Sequence, residues 1–319
     1  MKIVITARDY AACSDAQVQR LRAAGHTVRD YSSLGLSAGA PLADMIRLVA
    51  DADAVIAGLE PIGAALLDAC PSLRLVSRRG IGYDSVDIAA CRARGVTVAR
   101  TLGAVEGAVA ELVMAYILHF ARRLDLQSAA MHAGLWQRMR MPGAKNSRLG
   151  LVGFGGIGKE IARRATAFGM QVAYYCRHPD PAWDAAYGVQ YLPLDRLLAQ
   201  SDYVSVNVPL TDATKGMCDA SFFARMQPGS VFINIARGPV MDAGALRAAL
   251  DSGRLRGAGV DVYDREPCTD SPLLGCPSAI LTPHTATYTA ETFEEMNRIA
   301  AQNLLDWSRG RLPAANRVV

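Results

Sequence analysis

Short apolar runs alternate with amphipathic stretches along nearly the whole chain. Lys2–Thr6, Thr27–Asp30, Ala54–Ala57 and Leu75–Arg78 read as strands, and Asp15–Ala24 and Leu42–Ala50 between them carry the helical spacing of apolar positions. A second series runs through Ser147–Val152, Gln171–Cys176, Tyr203–Val208, Ser230–Ile235, Gly257–Val262 and Ala279–Leu281. Helical segments separate most of these too, such as Ala243–Ser252 with Gly253 as its stop. Strands alternating with helices predict an α/β architecture of parallel sheets. An apolar helix near Val105–Arg123 divides the two series, and a last helix, roughly Ala290–Arg309, follows the final strand. The polar, Pro/Gly-bearing segment Arg138–Asn146 reads as a connection.

The length of 319 residues, at about 150 per domain, fits two domains. Half of the residues (51%) are hydrophobic and 20% are charged, which excludes a disordered chain. The net charge of +4 is spread out, and no basic block marks a nucleic-acid arm. The stretch Val105–Ala121 carries Glu111 and His119 and reads as a buried or amphipathic helix, not a membrane span. The first apolar run breaks too early for a secretory signal, and seven cysteines without CxxC spacing read as reduced thiols, so the expectation is a cytoplasmic protein. No metal-ligand spacing, GxSxG elbow or P-loop occurs, and His26, His119 and His132 are expected to be structural, His119 in the core.

Gly153-Phe154-Gly155-Gly156-Ile157-Gly158 follows a strand and opens a helix, the setting in which GxGxxG binds a dinucleotide. Gly153 permits the tight turn, Gly155 the approach of a pyrophosphate, and Gly158 close helix–strand packing, while the helix N-terminus faces the phosphates. Where the next strand ends, an NAD site usually places an acidic residue against the ribose. Here the chain reads Cys176-Arg177-His178. With no carboxylate to repel a 2′-phosphate and an Arg to bind one, NADP(H) is favoured over NAD(H). Polar residues then cluster at three strand ends: Asn234–Gly238, Asp261 with Glu266, and Thr282–Thr287.

These motifs, with Val206–Thr211, Arg79–Asp87 and Ala108–Glu111, resemble the D-isomer-specific 2-hydroxyacid dehydrogenase family, which includes glyoxylate/hydroxypyruvate reductases and phosphoglycerate dehydrogenases. The resemblance spans nearly the whole chain. It implies two Rossmann-like doubly wound parallel-sheet domains, the substrate-side one discontinuous: residues 1–100 completed by 288–319, with 101–287 holding the cofactor. It implies Arg237, Glu266 and His284 as the catalytic set, Arg237 gripping the carboxylate and carbonyl of a 2-oxo acid, His284 moving the proton, and Glu266 orienting the imidazole. Asp261 is expected on the nicotinamide side and Val208-Pro209 at the adenine, with Ile235, Ala236 and Ala286 also along the cofactor. Ile81 and Gly82 are expected to offer N–H groups to the substrate, with Arg78 near its far end. A homodimer through Val105–Trp136 and closure of the substrate-side lid before hydride transfer are further implications.

The chain departs from the family pattern at Thr101–Glu106 and at Cys176. Phosphoglycerate is disfavoured as substrate because Glu60, after the third strand, would repel its phosphate, and because no regulatory extension follows the last helix. The expected activity is hydride exchange between NADPH and a small 2-oxo acid such as glyoxylate or hydroxypyruvate. A dinucleotide-sensing protein on the same scaffold, like the corepressors that resemble this family, is the alternative.

Overall fold

The computed structural model describes residues 1–13 and 15–319. They fall into two compact units, Met1–Val105 with Tyr288–Val319, and Glu106–Thr287.

The first unit is built on five parallel strands, β1 (Lys2–Ile5), β2 (Thr27–Asp30), β3 (Ala54–Ala57), β4 (Leu75–Arg78) and β5 (Thr97–Arg100), in the order β2-β1-β3-β4-β5. All residues of β3 and β4 are buried, as expected of strands covered on both faces. The strand period of two sends Val4, Val55, Val76 and Val98 to one face, where they pack with Met45, Val49 and Leu66. Ile3, Ile5, Ile56 and Leu75 point to the other face and meet Ala300, Ala301 and Leu304 of the C-terminal helix Ala290–Ser308. That helix is tied down by polar bonds as well: Ser77 Oγ donates to the Ala300 carbonyl (3.0 Å) and Tyr10 Oη to that of Asn297 (2.9 Å). The strand β5 is an addition to the elements read from sequence.

The second unit carries seven parallel strands: β6 (Arg148–Val152), β7 (Gln171–Tyr175), β8 (Val189–Tyr191), β9 (Tyr203–Val206), β10 (Ser230–Asn234), β11 (Leu255–Val260) and β12 (Ala279–Leu281). Their order is β12-β11-β10-β9-β6-β7-β8. From β6 the chain first builds outward through β7 and β8, then returns to lay β9 on the opposite side of β6. The connections leaving β6 and β9 therefore diverge, which opens a crevice at their carboxyl ends. The strand β8 was not read from sequence.

The helix Glu106–Arg122 lies directly on β11. A Cβ on Gly259 would fall 2.6 Å from Cγ of the Tyr116 ring, and one on Gly257 would strike the Phe120 ring. The two glycines let the aromatic face of this helix reach the strand. His119 is on its rim, not in the core: its side chain is 28% exposed and its Nε2 is 3.6 Å from Asp125. Among the described residues, no helix is long and apolar enough to cross a membrane.

The Gly259→Ala variant is expected to lose about 1–3 kcal/mol, the usual cost of forcing a methyl into a filled core. Urea unfolding measures it, and unchanged stability would contradict this packing.

Candidate active site

The glycine turn joins β6 to the helix Gly156–Ala167. Gly153 has φ +99°, and a Cβ there would lie 2.9 Å from the Asn207 carbonyl, so only glycine suits this residue. A Cβ on Gly158 would lie 2.6 Å from the Gly153 carbonyl oxygen, so the turn and the helix touch backbone to backbone. Around Gly155 nothing stands within 4 Å of that position, and the turn is open where a pyrophosphate would approach the helix N-terminus. The residues present therefore fit a dinucleotide.

Aromatic rings gather beside this turn. The Phe154 ring stacks on Tyr174 at 4.0 Å and meets Trp183 edge-on at 6.0 Å. Beyond β7, Cys176 is half-buried while Arg177 and His178 are exposed. Among the described residues neither of the latter two is in an ion pair. The nearby Asp180 carboxylate is engaged locally, accepting from Ala182 N (2.9 Å) and from Trp183 Nε1. Sequence reasoning missed Lys159, whose ammonium lies over the Trp183 ring next to the Gly156–Gly158 turn. After β9, Val208 is half-buried and Pro209 exposed at the crevice rim.

The catalytic candidates sit at the ends of β10, β11 and β12. Asn234, fully buried, organises the first of these ends: its Oδ1 accepts from Ala236 N (3.0 Å) and its Nδ2 donates to the Arg237 carbonyl (3.1 Å). This side-chain turn presents Arg237 in an extended conformation, with Nη1 donating to the Ala236 carbonyl at 2.7 Å. Ile235 and Ala236 are buried beneath it. A Cβ on Gly238 would collide with the Tyr263–Asp264 backbone, so the glycine lets the loop bearing Glu266 pack against the loop bearing Arg237.

Glu266 and His284 meet directly, Oε2 to Nδ1 at 2.6 Å, and Glu266 Oε1 accepts from Tyr263 N at 3.1 Å. Burial of the Glu266 carboxyl disfavours its charge. The bond and charge of His284, the Tyr263 N–H and the Arg237 charge outweigh that, and the pKa lies below the ordinary 4.5. The carboxylate holds Nδ1 of the ring, which leaves Nε2 as the atom available to a substrate.

His284 itself adopts φ +52°, a left-handed conformation that costs a non-glycine residue on the order of 1 kcal/mol. Asp261, 1% exposed, holds it there. Its Oδ1 accepts from Thr282 Oγ1 (2.5 Å) and Thr285 N (2.8 Å), and its Oδ2 from the N of Ala286 (3.0 Å), itself a buried residue. The carboxylate thus clasps both sides of His284. Motif position alone did not reveal this clasp, nor the part of Asn234.

Of the other residues singled out from sequence, Arg78 is buried at the end of β4, and Ile81 and Gly82 are half-buried in the loop that follows. The N–H of Gly80, which has φ +140°, donates to Thr101 Oγ1 at 2.9 Å. Among the described residues no group of three or more His, Cys, Asp or Glu could hold a metal ion.

Residues 114–286 match the family model described as D-isomer specific 2-hydroxyacid dehydrogenase, NAD binding domain. A glyoxylate reductase of Korarchaeum cryptofilum is 37% identical over 84% of this chain and 83% of its own. A glyoxylate/hydroxypyruvate reductase B of Citrobacter koseri is 37% identical over 82% of this chain and 83% of its own. The solved glyoxylate reductase from Paecilomyes thermophila superposes with a TM-score of 0.87 at 30% identity, covering 100% of this chain and 98% of that one. The chain belongs to the D-isomer-specific 2-hydroxyacid dehydrogenase family. It is an oxidoreductase that uses a nicotinamide cofactor.

Because Glu266 is more acidic folded than unfolded, its ionisation stabilises the fold above the ordinary carboxylate pKa, and that support is lost as pH falls through the folded value. The Tm gap between wild type and Glu266→Gln is therefore expected to be full near neutrality and to close below about pH 4.5. A gap that does not vary with pH would contradict the His284–Glu266 pair.

Proposed function

We propose that the protein reduces a small 2-oxo acid, of the glyoxylate or hydroxypyruvate type, to the D-2-hydroxy acid, with NADPH preferred to NADH. The observation that carries this reading is the 2.6 Å Glu266–His284 pair held beside the Arg237 loop, a proton donor and a carboxylate-binding fork at neighbouring strand ends. The bound nicotinamide supplies the hydride. Arg237 grips the substrate carboxylate and the adjacent carbonyl oxygen with its planar guanidinium. His284 gives its Nε2 proton to that oxygen as negative charge develops, and Glu266 holds the imidazole in place through Nδ1. In the reverse direction the same imidazole takes the proton from the hydroxyl. Arg78 and the N–H groups of Ile81 and Gly82 are further proposed contacts to the substrate.

The cofactor contacts follow the same order along the second unit, which we assign to the cofactor, the first being assigned to the substrate. Gly153–Gly158 take the pyrophosphate, and Val208 and Pro209 the adenine. Ile235, Ala236 and Ala286 pack along the dinucleotide. Asp261 keeps acceptor capacity on Oδ2 for the carboxamide of the nicotinamide. The preference for NADPH rests on Cys176, Arg177 and His178, which stand after β7 where an NAD site usually has an acidic residue, with the exposed guanidinium of Arg177 at hand. A homodimer is proposed through the segment that includes helix Leu124–His132, which has no buried residue and exposes Leu124 and, just beyond it, Trp136 (65% and 75%). The seven free thiols suit a reducing cytoplasm.

Two measurements test this. Titration with NADPH and NADH is expected to show NADPH binding at least about tenfold tighter, with the difference lost in Arg177→Ala. Equal or tighter NADH binding would overturn the preference. Reduced-nicotinamide oxidation across a panel of 2-oxo acids is expected to show turnover that falls about a hundredfold in Arg237→Lys, which keeps the charge but loses the fork. Undiminished turnover would remove Arg237 from its role, and binding without turnover on any acid would favour a dinucleotide sensor.

A further inference from the structure

We infer that Tyr116 is a positioning residue for the reaction, acting through Thr282 and Asp261 on the loop that bears His284. This rests on the assignment of His284 as the proton donor. The residues form one chain of hydrogen bonds. Asp261 receives a backbone N–H on each oxygen, from Thr285 on Oδ1 and Ala286 on Oδ2, and these groups can only donate. Its Oδ1 also takes the proton of Thr282 Oγ1 at 2.5 Å. Thr282 has one hydroxyl proton, and with that proton directed to Asp261 its oxygen can only accept from Tyr116 Oη, 2.5 Å away. The direction is therefore fixed as Tyr116 to Thr282 to Asp261, and donors aligned in this way polarise and strengthen one another.

The phenol is well placed for such a part. Tyr116 is 2% exposed, and its ring is seated against Gly259, so the hydroxyl has little freedom to turn elsewhere. Burial, the largest influence on it, holds the phenol above its ordinary value and keeps it protonated. The Thr282 backbone is fixed independently, its carbonyl accepting from Tyr263 Oη at 3.0 Å and its N–H reaching the Val260 carbonyl at 3.0 Å. Two residues beyond Thr282 stands His284 in its left-handed conformation, with its backbone N–H directed to the Thr282 carbonyl at 3.0 Å. A side chain on the helix Glu106–Arg122 thus sets the donor that steadies the Asp261 clasp. Without the phenol proton, the Thr282 hydroxyl is released to rotate, and the clasp loses one of its three donors for part of the time.

The test compares Tyr116→Phe, Thr282→Val, the double variant and Thr282→Ser. Each is assayed for kcat and KM with NADPH and a turned-over 2-oxo acid, for NADPH Kd, and for Tm. Tyr116→Phe keeps the ring that packs on Gly259. It is expected to lower kcat about tenfold while the NADPH Kd stays within about twofold. Thr282→Val is expected to lose at least as much, Thr282→Ser to recover most of it, and the double variant to lose no more than Thr282→Val, because both changes break one chain. Losses that multiply in the double variant, or full turnover in Tyr116→Phe, would overturn the inference. His284→Gln separates the two levels. If it retains turnover, the proton-donor assignment fails. If it is inactive while Tyr116→Phe is unimpaired, only the positioning role fails.

Discussion

The buried carboxylate of Asp261 is the constraint on which the rest of the site depends. His284 follows Pro283, has φ +52°, and stands between two residues, Thr282 and Thr285, that both donate to the same Oδ1. A left-handed histidine is unfavourable by itself, and such conformations persist where surrounding bonds determine them. Three donors converge on a group that is 1% exposed, and charge-assisted bonds of this kind are strong where water cannot compete. The imidazole is consequently directed at Glu266 by the fold of its loop.

The remaining pieces are arranged by close approaches of backbone. Gly238 lets the Tyr263–Asp264 peptide press against the Arg237 loop, and the Asn234 side chain closes the turn that presents Arg237. Both loops leave the carboxyl ends of adjacent parallel strands, β10 and β11, and the His284 loop leaves the next strand, β12. On the other side of the sheet order, the glycine turn after β6 stands beside β9, where the chain changes direction across the sheet. Parallel pairing thus brings residues far apart in sequence to one edge, and the strand order determines that the glycine turn and the Glu266–His284 pair belong to the same unit.

Much of this was legible from pattern. The strand Ala54–Ala57, buried on both faces, reads as an unbroken apolar run, Leu75-Val76 opens the next strand in the same way, and the helix Ala290–Ser308 announced itself by its spacing. Two strands escaped. Val189–Tyr191 has three residues in all, too few to show a period, and the apolar part of Thr97–Arg100 is only Val98-Ala99. The Arg237, Glu266 and His284 motifs were visible, as was Gly153–Gly158. What no local pattern contained was the use of a side chain by a distant segment. The engagement of Asp261 with residues 282–286, the seating of Tyr116 on Gly259, and Lys159 over Trp183 all depend on strand order and helix packing. His119 misled for a related reason: an apolar helix suggested burial, but its own face of that helix is the rim.

The measurement that bears most directly on the account is the turnover of Asp261→Asn. Asparagine keeps the size of the side chain but replaces one acceptor oxygen with an NH2 group, which in either orientation faces a backbone N–H, that of Thr285 or that of Ala286. The expected kcat is at least about a hundredfold lower, in a protein that still folds, because the loop can no longer hold His284 against Glu266. Wild-type turnover in Asp261→Asn would contradict it.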